Sequence, residues 1–254
     1  MATRVTSADG TEIAYERAGD GPAVILVGGG LDDGAENAPL VPELASRFTV
    51  VNYARRGRAG SGDTLPYALE REIEDLAALI AEVGAPVHLF GASSGGALAL
   101  EAAGLDVGRI AVYEVPYPVE MVDAWRAYRE QLAVALAEER RGDALELFMR
   151  LAGSPEEAIA GARRAPVWPQ LEALAPTLAY DAACLGDGVP PERFAAIGQP
   201  VLVLTGADPG GFFGPAADAL VATLPNPERK VLAGEGHVAA PEVLAEALAE
   251  FFGA

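Results

Sequence analysis

The sequence predicts an α/β architecture: a doubly wound, mostly parallel sheet with an all-helical cap inserted between two of its strands. Three observations carry that expectation. Short β-branched runs bounded by glycine or proline recur along the chain, and amphipathic helical stretches separate them. One long stretch, residues 119–191, holds helix-like segments with no strand among them.

The elements follow in order. Residues 4–7 and 12–17 read as a hairpin around Asp9-Gly10. Buried strands are expected at Ala23–Val27 and at 48–53, 87–90, 110–113, 201–205 and 230–232. Between them, Leu69, Ile73, Leu76, Ile80 and Val83 recur at helical spacing, with Glu70, Glu72, Glu74 and Asp75 assigned to the opposite, solvent-facing side. Leu244, Leu248, Phe251 and Phe252 mark a terminal helix. Parallel strands require crossover connections, so this alternation implies a doubly wound sheet. Residues 1–118 and 192–254 then form the core, and 119–191 the cap, placed over the sheet edge where open α/β sheets bind ligands.

Composition narrows the function. A net charge of −19 argues against nucleic-acid and anionic-membrane partners, because both recognise basic surfaces. The single cysteine, Cys184, rules out an internal disulfide, and its apolar neighbours suggest a buried thiol. Residues 1–10 contain no apolar leader core, so a cytoplasmic protein is expected.

The most informative motif is Gly91-Ala92-Ser93-Ser94-Gly95, placed directly after one predicted strand and before a predicted helix. G-x-S-x-G in that setting is a nucleophile elbow: a strained turn lifts the central side chain to the sheet edge. Ser93 is therefore the candidate nucleophile, and the backbone N–H of Ser94 a candidate oxyanion donor. A serine hydroxyl needs a base. Of the two histidines, His88 sits inside an apolar strand and reads as packing, whereas His237 follows the last strand and precedes the terminal helix.

With these parts in this order, the chain resembles the α/β-hydrolase superfamily over nearly its whole length. The resemblance implies His237 as base and Gly30 N–H, in the loop Gly28-Gly29-Gly30, as the second oxyanion donor. Relatives usually carry a histidine where Gly28 stands. In the following loop, Arg55-Arg56-Gly57-Arg58, they often carry aspartate at the place of Ala54 and glycine at that of Ala59. The arginines are expected to solvate this loop or brace neighbouring turns, with anion binding as a lesser alternative.

The resemblance leaves two positions for the acid that orients the imidazole. One is Asp208, a residue early for the usual slot, which holds Pro209. The other is Glu114, ending the strand before the cap. Both segments are similar to the haloalkane-dehalogenase and coelenterazine-luciferase branch, where the acid is a glutamate before the cap, and Glu114 is preferred. That branch uses an aspartate nucleophile, so dehalogenation does not carry over to Ser93.

The expected function is a serine hydrolase cleaving a small, hydrophobic carboxylic ester, thioester or lactone through an acyl-enzyme, without metal or organic cofactor. Leu31, Tyr117 and Trp125 are expected to line the pocket. The partner is then a small-molecule substrate, and a homo-oligomer remains compatible. Two alternatives stay open: a lyase, cyclase or carbon–carbon bond-cleaving enzyme using the same residues, and a ligand-sensing pseudo-enzyme.

Overall fold

The structure is a computed structural model that describes residues 3–207 and 213–253. Its elements run β1 (Thr3–Thr6), β2 (Glu12–Ala18), β3 (Ala23–Val27), α1 (Leu40–Leu44), β4 (Thr49–Tyr53), α2 (Leu69–Val83), β5 (Val87–Ala92), α3 (Ser94–Glu101) and β6 (Val107–Tyr113). Five helices follow without a strand: α4 (Val122–Ala137), α5 (Arg141–Leu151), α6 (Glu156–Arg163), α7 (Trp168–Leu174) and α8 (Leu178–Leu185). The chain then returns to the sheet through β7 (Val201–Gly206), α9 (Phe213–Thr223), β8 (Pro227–Leu232) and α10 (Pro241–Phe252).

The eight strands form one sheet in the order β1-β2-β4-β3-β5-β6-β7-β8. The first two pairings, β1 with β2 and β2 with β4, are antiparallel, and the rest are parallel. The central strand β3 shows why the sheet needs helices on both faces. Ile25 and Val27 join one apolar cluster and Val24 and Leu26 the other, as the period of two dictates. Leu76, Leu79 and Leu98 of α2 and α3 cover the first face; Leu40, Leu44, Leu248 and Phe252 of α1 and α10 cover the second.

Register sets the site. Val27 pairs with Gly91, Ala92 with Tyr113, Tyr113 with Leu204, and Gly206 with Leu232. The loops leaving β3, β5, β6, β7 and β8 therefore emerge at one edge, beside the point between β3 and β5 where the winding direction reverses. Open α/β sheets bind ligands there. Of the helices in the insertion, α8 packs against both α3 and α2, which seats it on the core.

Two expectations need correction. Glu72 and Asp75 are buried, each about 1% exposed, rather than on a solvent face of α2. Helical periodicity assigned them to the polar side, but that side is covered by the loop after β4. Strand β8 begins at Pro227 instead of 230. As an edge strand it is half exposed, so its polar Pro-Glu-Arg start hid the pattern; a proline opening such a strand forfeits no ladder bond. His88 packs as expected, stacking on Phe252 with ring centres 4.8 Å apart. No described helix is long and apolar enough to cross a membrane.

Candidate active site

Strand β5 ends in a turn that only small residues can make. A Cβ at Gly91 would lie 2.4 Å from Gly95 O, and one at Gly95 would lie 2.3 Å from Val27 O. With those positions empty, Ser93 adopts φ 53, ψ −129, a conformation that L-residues avoid. Its N–H donates to Tyr113 O at 2.9 Å, and Gly96 N–H donates to Ser93 O at 2.9 Å, so both flanking peptides are held. Helix α3 starts at the next residue.

One strand over, β6 is followed directly by Glu114, which is also left-handed at φ 46 and only 3% exposed. Its N–H donates to Leu204 O at 3.0 Å. Both carboxylate oxygens are used: Oε1 accepts from Gly206 N–H at 2.9 Å, and Oε2 lies 2.7 Å from His237 Nδ1. A buried carboxylate without such partners would carry a severe desolvation penalty.

His237 sits in the loop after β8, and several contacts fix that loop. Tyr113 Oη donates to Gly236 O, Ala207 N–H to Glu235 O at 3.0 Å, and Ala240 N–H to Glu235 Oε2 at 2.7 Å. Phe213 stacks on the imidazole at 4.6 Å between ring centres, 9° from parallel. Because Nδ1 faces a carboxylate it carries the hydrogen there, and Nε2 is the nitrogen left for chemistry.

A second polar cluster lies against the glycine loop. Arg55, Arg56 and Arg58 are buried, so of the two expected roles solvating the loop fails and bracing neighbouring turns holds. Each is matched by carboxylates. Arg55 forks onto Glu72 at 2.6 and 3.0 Å; Arg56 onto Asp75 at 2.7 and 2.8 Å and onto Asp9 at 3.0 Å. Asp181, from α8, accepts from Arg55 at 2.7 Å, from Arg58 at 2.8 and 2.9 Å, and from the Ser94 hydroxyl at 2.8 Å. Burial works to raise the Asp181 carboxyl, but Arg58, Arg55 and Ser94 together outweigh it and hold it below the usual carboxylate range. Cys184 lies beside Arg55 and Glu72, and burial pushes its thiol well above the usual range.

Two arginines of this cluster also reach the glycine loop. Arg55 Nη1 donates to Gly28 O at 3.2 Å, and Arg58 Nη1 donates to Gly29 O and, at 3.1 Å, to Asp32 O. A Cβ on Gly28 would sit 2.2 Å from Asp32 Oδ2, so the Asp32 carboxyl fills the space a side chain at position 28 would take. Burial raises that carboxyl above its ordinary value, although the Glu36 and Gly34 N–H groups work against the shift.

Between the sheet edge and the helical insertion lies a cavity of about 540 Å³. Gly30, Ser93, Ser94 and His237 line it at the sheet edge, and Trp125, Tyr128, Phe148, Leu178 and Leu185 line it from the helical insertion. Its volume falls in the ordinary range for small-molecule sites. Trp125 faces the cavity, but Leu31 and Tyr117 do not belong to its lining. Tyr117 is 1% exposed and packs into the apolar core, and Leu31, at φ 60, packs against that core from its edge. Asp208 lies outside the described residues.

Asp181 and Asp32 were not foreseen from the sequence, nor was the pairing of Arg58 with Asp181. One signal was available: Asp181 is the lone charge in the apolar run Leu178–Leu185, and three arginines stand in a four-residue loop. A buried charge demands a partner, and each was the other's.

A strained strand-to-helix serine, a carboxylate-bonded histidine in the loop after the last strand, and a helical roof over a mostly parallel sheet define a hydrolase-type α/β fold. The profile of the Alpha/beta hydrolase family matches residues 23–250, and the chain belongs to that family. Among solved structures, it is similar to an alpha/beta hydrolase from Sphaerobacter thermophilus, 46% identical with TM-score 0.88, covering 98% of this chain and 100% of that one. It shares its fold with a thermophilic esterase from Thermogutta terrifontis at 24% identity and TM-score 0.73, covering 99% and 98%. The Bacillus subtilis hydrolase YraK is 34% identical over 96 residues, which are 36% of this chain and 35% of that protein. The curated relative is thus matched over about a third of its length, and family and fold are what these likenesses establish.

Proposed function

We propose that this protein is a serine hydrolase cleaving a small, neutral, hydrophobic carboxylic ester, thioester or lactone through an acyl-enzyme. One observation carries the reading. Ser93 and His237 line the same cavity, and His237 Nδ1 lies 2.7 Å from the buried Glu114 carboxylate. In the proposed mechanism Ser93 Oγ attacks the carbonyl carbon and its proton passes to His237 Nε2. Glu114 holds the imidazole in the right tautomer and stabilises the imidazolium. The oxyanion is met by Ser94 and Gly30 N–H, each donor contributing about 3 kcal/mol. The imidazolium protonates the leaving group, and water then attacks the acyl-enzyme with His237 as base.

The cavity walls support the substrate class. Its lining is mainly aromatic and aliphatic, and the two other charged side chains among the described lining residues are already neutralised. Asp181 is matched by Arg55 and Arg58, and Arg150 by Glu156 at 2.6 Å and Glu146 at 3.1 Å. A charged substrate would have to break one of these pairs. The insertion over residues 119–191 is proposed to act as the lid that sets selectivity.

The test is labelling by a fluorophosphonate, followed by a panel of aryl esters, thioesters and lactones of graded chain length. Ser93 should be modified, with the best turnover on neutral apolar acyl groups. An unlabelled Ser93, or labelling at another serine, would overturn the reading.

A further inference from the structure

Gly28 stands where relatives usually place a histidine, yet the loop it opens is proposed to supply half of an oxyanion hole. Such a hole works only if its donors are aimed before the charge develops. The arginine–aspartate cluster beside the loop offers the means.

A trans peptide is planar, so its C=O and the following N–H point in opposite directions. Arg58 Nη1 donates to Gly29 O, the carbonyl of the peptide whose other end is Gly30 N–H. Clamping that oxygen turns the Gly30 N–H the other way, and Gly30 borders the cavity. Arg55 clamps the preceding peptide through Gly28 O at 3.2 Å. The Ser93–Ser94 peptide is fixed in the same manner, since Ser93 O accepts from Gly96 N–H at 2.9 Å. Asp181 joins the two halves: it holds Arg58 through both oxygens and takes the Ser94 hydroxyl at 2.8 Å. It also borders Gly30 closely, since a Cβ there would lie 3.5 Å from Asp181 Oδ2.

We propose that Arg58 and Asp181 are positioning residues of the oxyanion hole, aiming the Gly30 and Ser94 N–H groups at one point. The proposal rests on the serine-hydrolase reading. It also makes the helical insertion part of the chemistry, because Asp181 belongs to α8 while both donors belong to the core.

Arg58→Lys keeps the charge but loses the fork that serves Gly29 O and Asp181 together, and Asp181 retains Arg55. Ser94→Ala removes only the hydroxyl tie and keeps the backbone donor. Each variant is measured for kcat and KM on the best aryl ester, and for affinity towards an alkyl boronate, which mimics the tetrahedral state, and towards the planar product carboxylate. For Arg58→Lys, kcat should fall about 10- to 100-fold, somewhat less than complete loss of one donor. KM should stay within about twofold, and boronate affinity should weaken by the same factor as kcat/KM while product affinity is unchanged. Ser94→Ala should repeat the pattern at roughly three- to tenfold. A purely structural role would not separate boronate from product. A folded Arg58→Lys with unaltered kcat and boronate affinity, or with losses in KM alone, overturns the proposal. If that variant does not fold, the same outcomes in Ser94→Ala decide it. Fluorophosphonate labelling of the parent protein separates the two failures: labelled Ser93 with unaffected variants removes this proposal alone, and an unlabelled Ser93 removes both.

Discussion

The turn after β5 and the loop after β4 each force a non-glycine residue into the left-handed region, Ser93 at φ 53 and Ala59 at φ 43. They use the strain differently. In the first, the strained residue itself carries a hydroxyl to the cavity, and its neighbours Gly91 and Gly95 exist to permit the turn. In the second, the strained residue carries nothing outward. Ala59 is exposed, while its neighbours Arg55, Arg56 and Arg58 turn inward to buried carboxylates. Strain presents a side chain to the cavity in one loop and sets only chain direction in the other. The two regions should therefore fail in different ways.

The largest effect belongs to the loops that carry the proposed catalytic residues. Ser93→Ala should lower turnover on the order of 10⁶-fold, and Glu114→Gln about 10⁴-fold, with little change in melting temperature. Asp208→Asn, the rival acid, should cost only about tenfold. Steady-state rates on the best ester rank all three. If Asp208→Asn proved the more damaging, the acid would move to the loop after β7, and the 2.7 Å contact of Glu114 would be an anchor for His237 and no more.

Arg56→Ala should do the opposite. Asp75, 1% exposed, would lose the fork at 2.7 and 2.8 Å that compensates its burial. Removing one member of such a pair typically costs about 3–5 kcal/mol, which for a chain of this size lowers the melting temperature by very roughly 10 °C. Neither Arg56 nor its partners line the cavity, so activity per folded molecule should be preserved. Loss of kcat without loss of stability would erase the contrast between the two loops.

What the sequence disclosed follows the same division. Elements that repeat a local period were legible: the β-branched runs of β3, β4 and β7, the apolar stripe of α2, and the glycine spacing around Ser93. The candidate residues Ser93 and Glu114 were legible as positions directly after a recognisable strand, and His237 as the histidine between the last strand and the terminal helix. Partnerships between distant segments were not. Glu72 and Asp75 obey the helical period of a solvent face, yet they answer arginines 17 and 19 residues earlier. Asp181 answers Arg58 across 123 residues and from another layer of the fold. Pocket lining was the least legible, because Tyr117 and Trp125 are equally apolar and only packing decides which faces the cavity.

The smallest expected effect tests whether the strain at Ala59 is idle. A φ of 43 is a conformation that favours glycine at this place. An L-residue held there loses about 1 kcal/mol or more to contact between its Cβ and the backbone. Ala59→Gly should remove that cost. Glycine in turn makes the unfolded chain harder to order, by about 0.4–1 kcal/mol. Ala59 is exposed, so its methyl contributes little packing to offset the relief. The net change should be a stabilisation of roughly 0.5 kcal/mol, a rise of about 1–2 °C in melting temperature. Turnover should not move, because the arginine clamps that precede Ala59 keep their partners. A scanning calorimetry trace of the variant measures the first quantity, and kcat on the best ester the second. A fall in melting temperature would mean that the methyl group supports the loop. A fall in kcat at higher stability would mean that the rigidity of the arginine loop is transmitted to the glycine loop it braces, and the strain at Ala59 would then belong with that at Ser93.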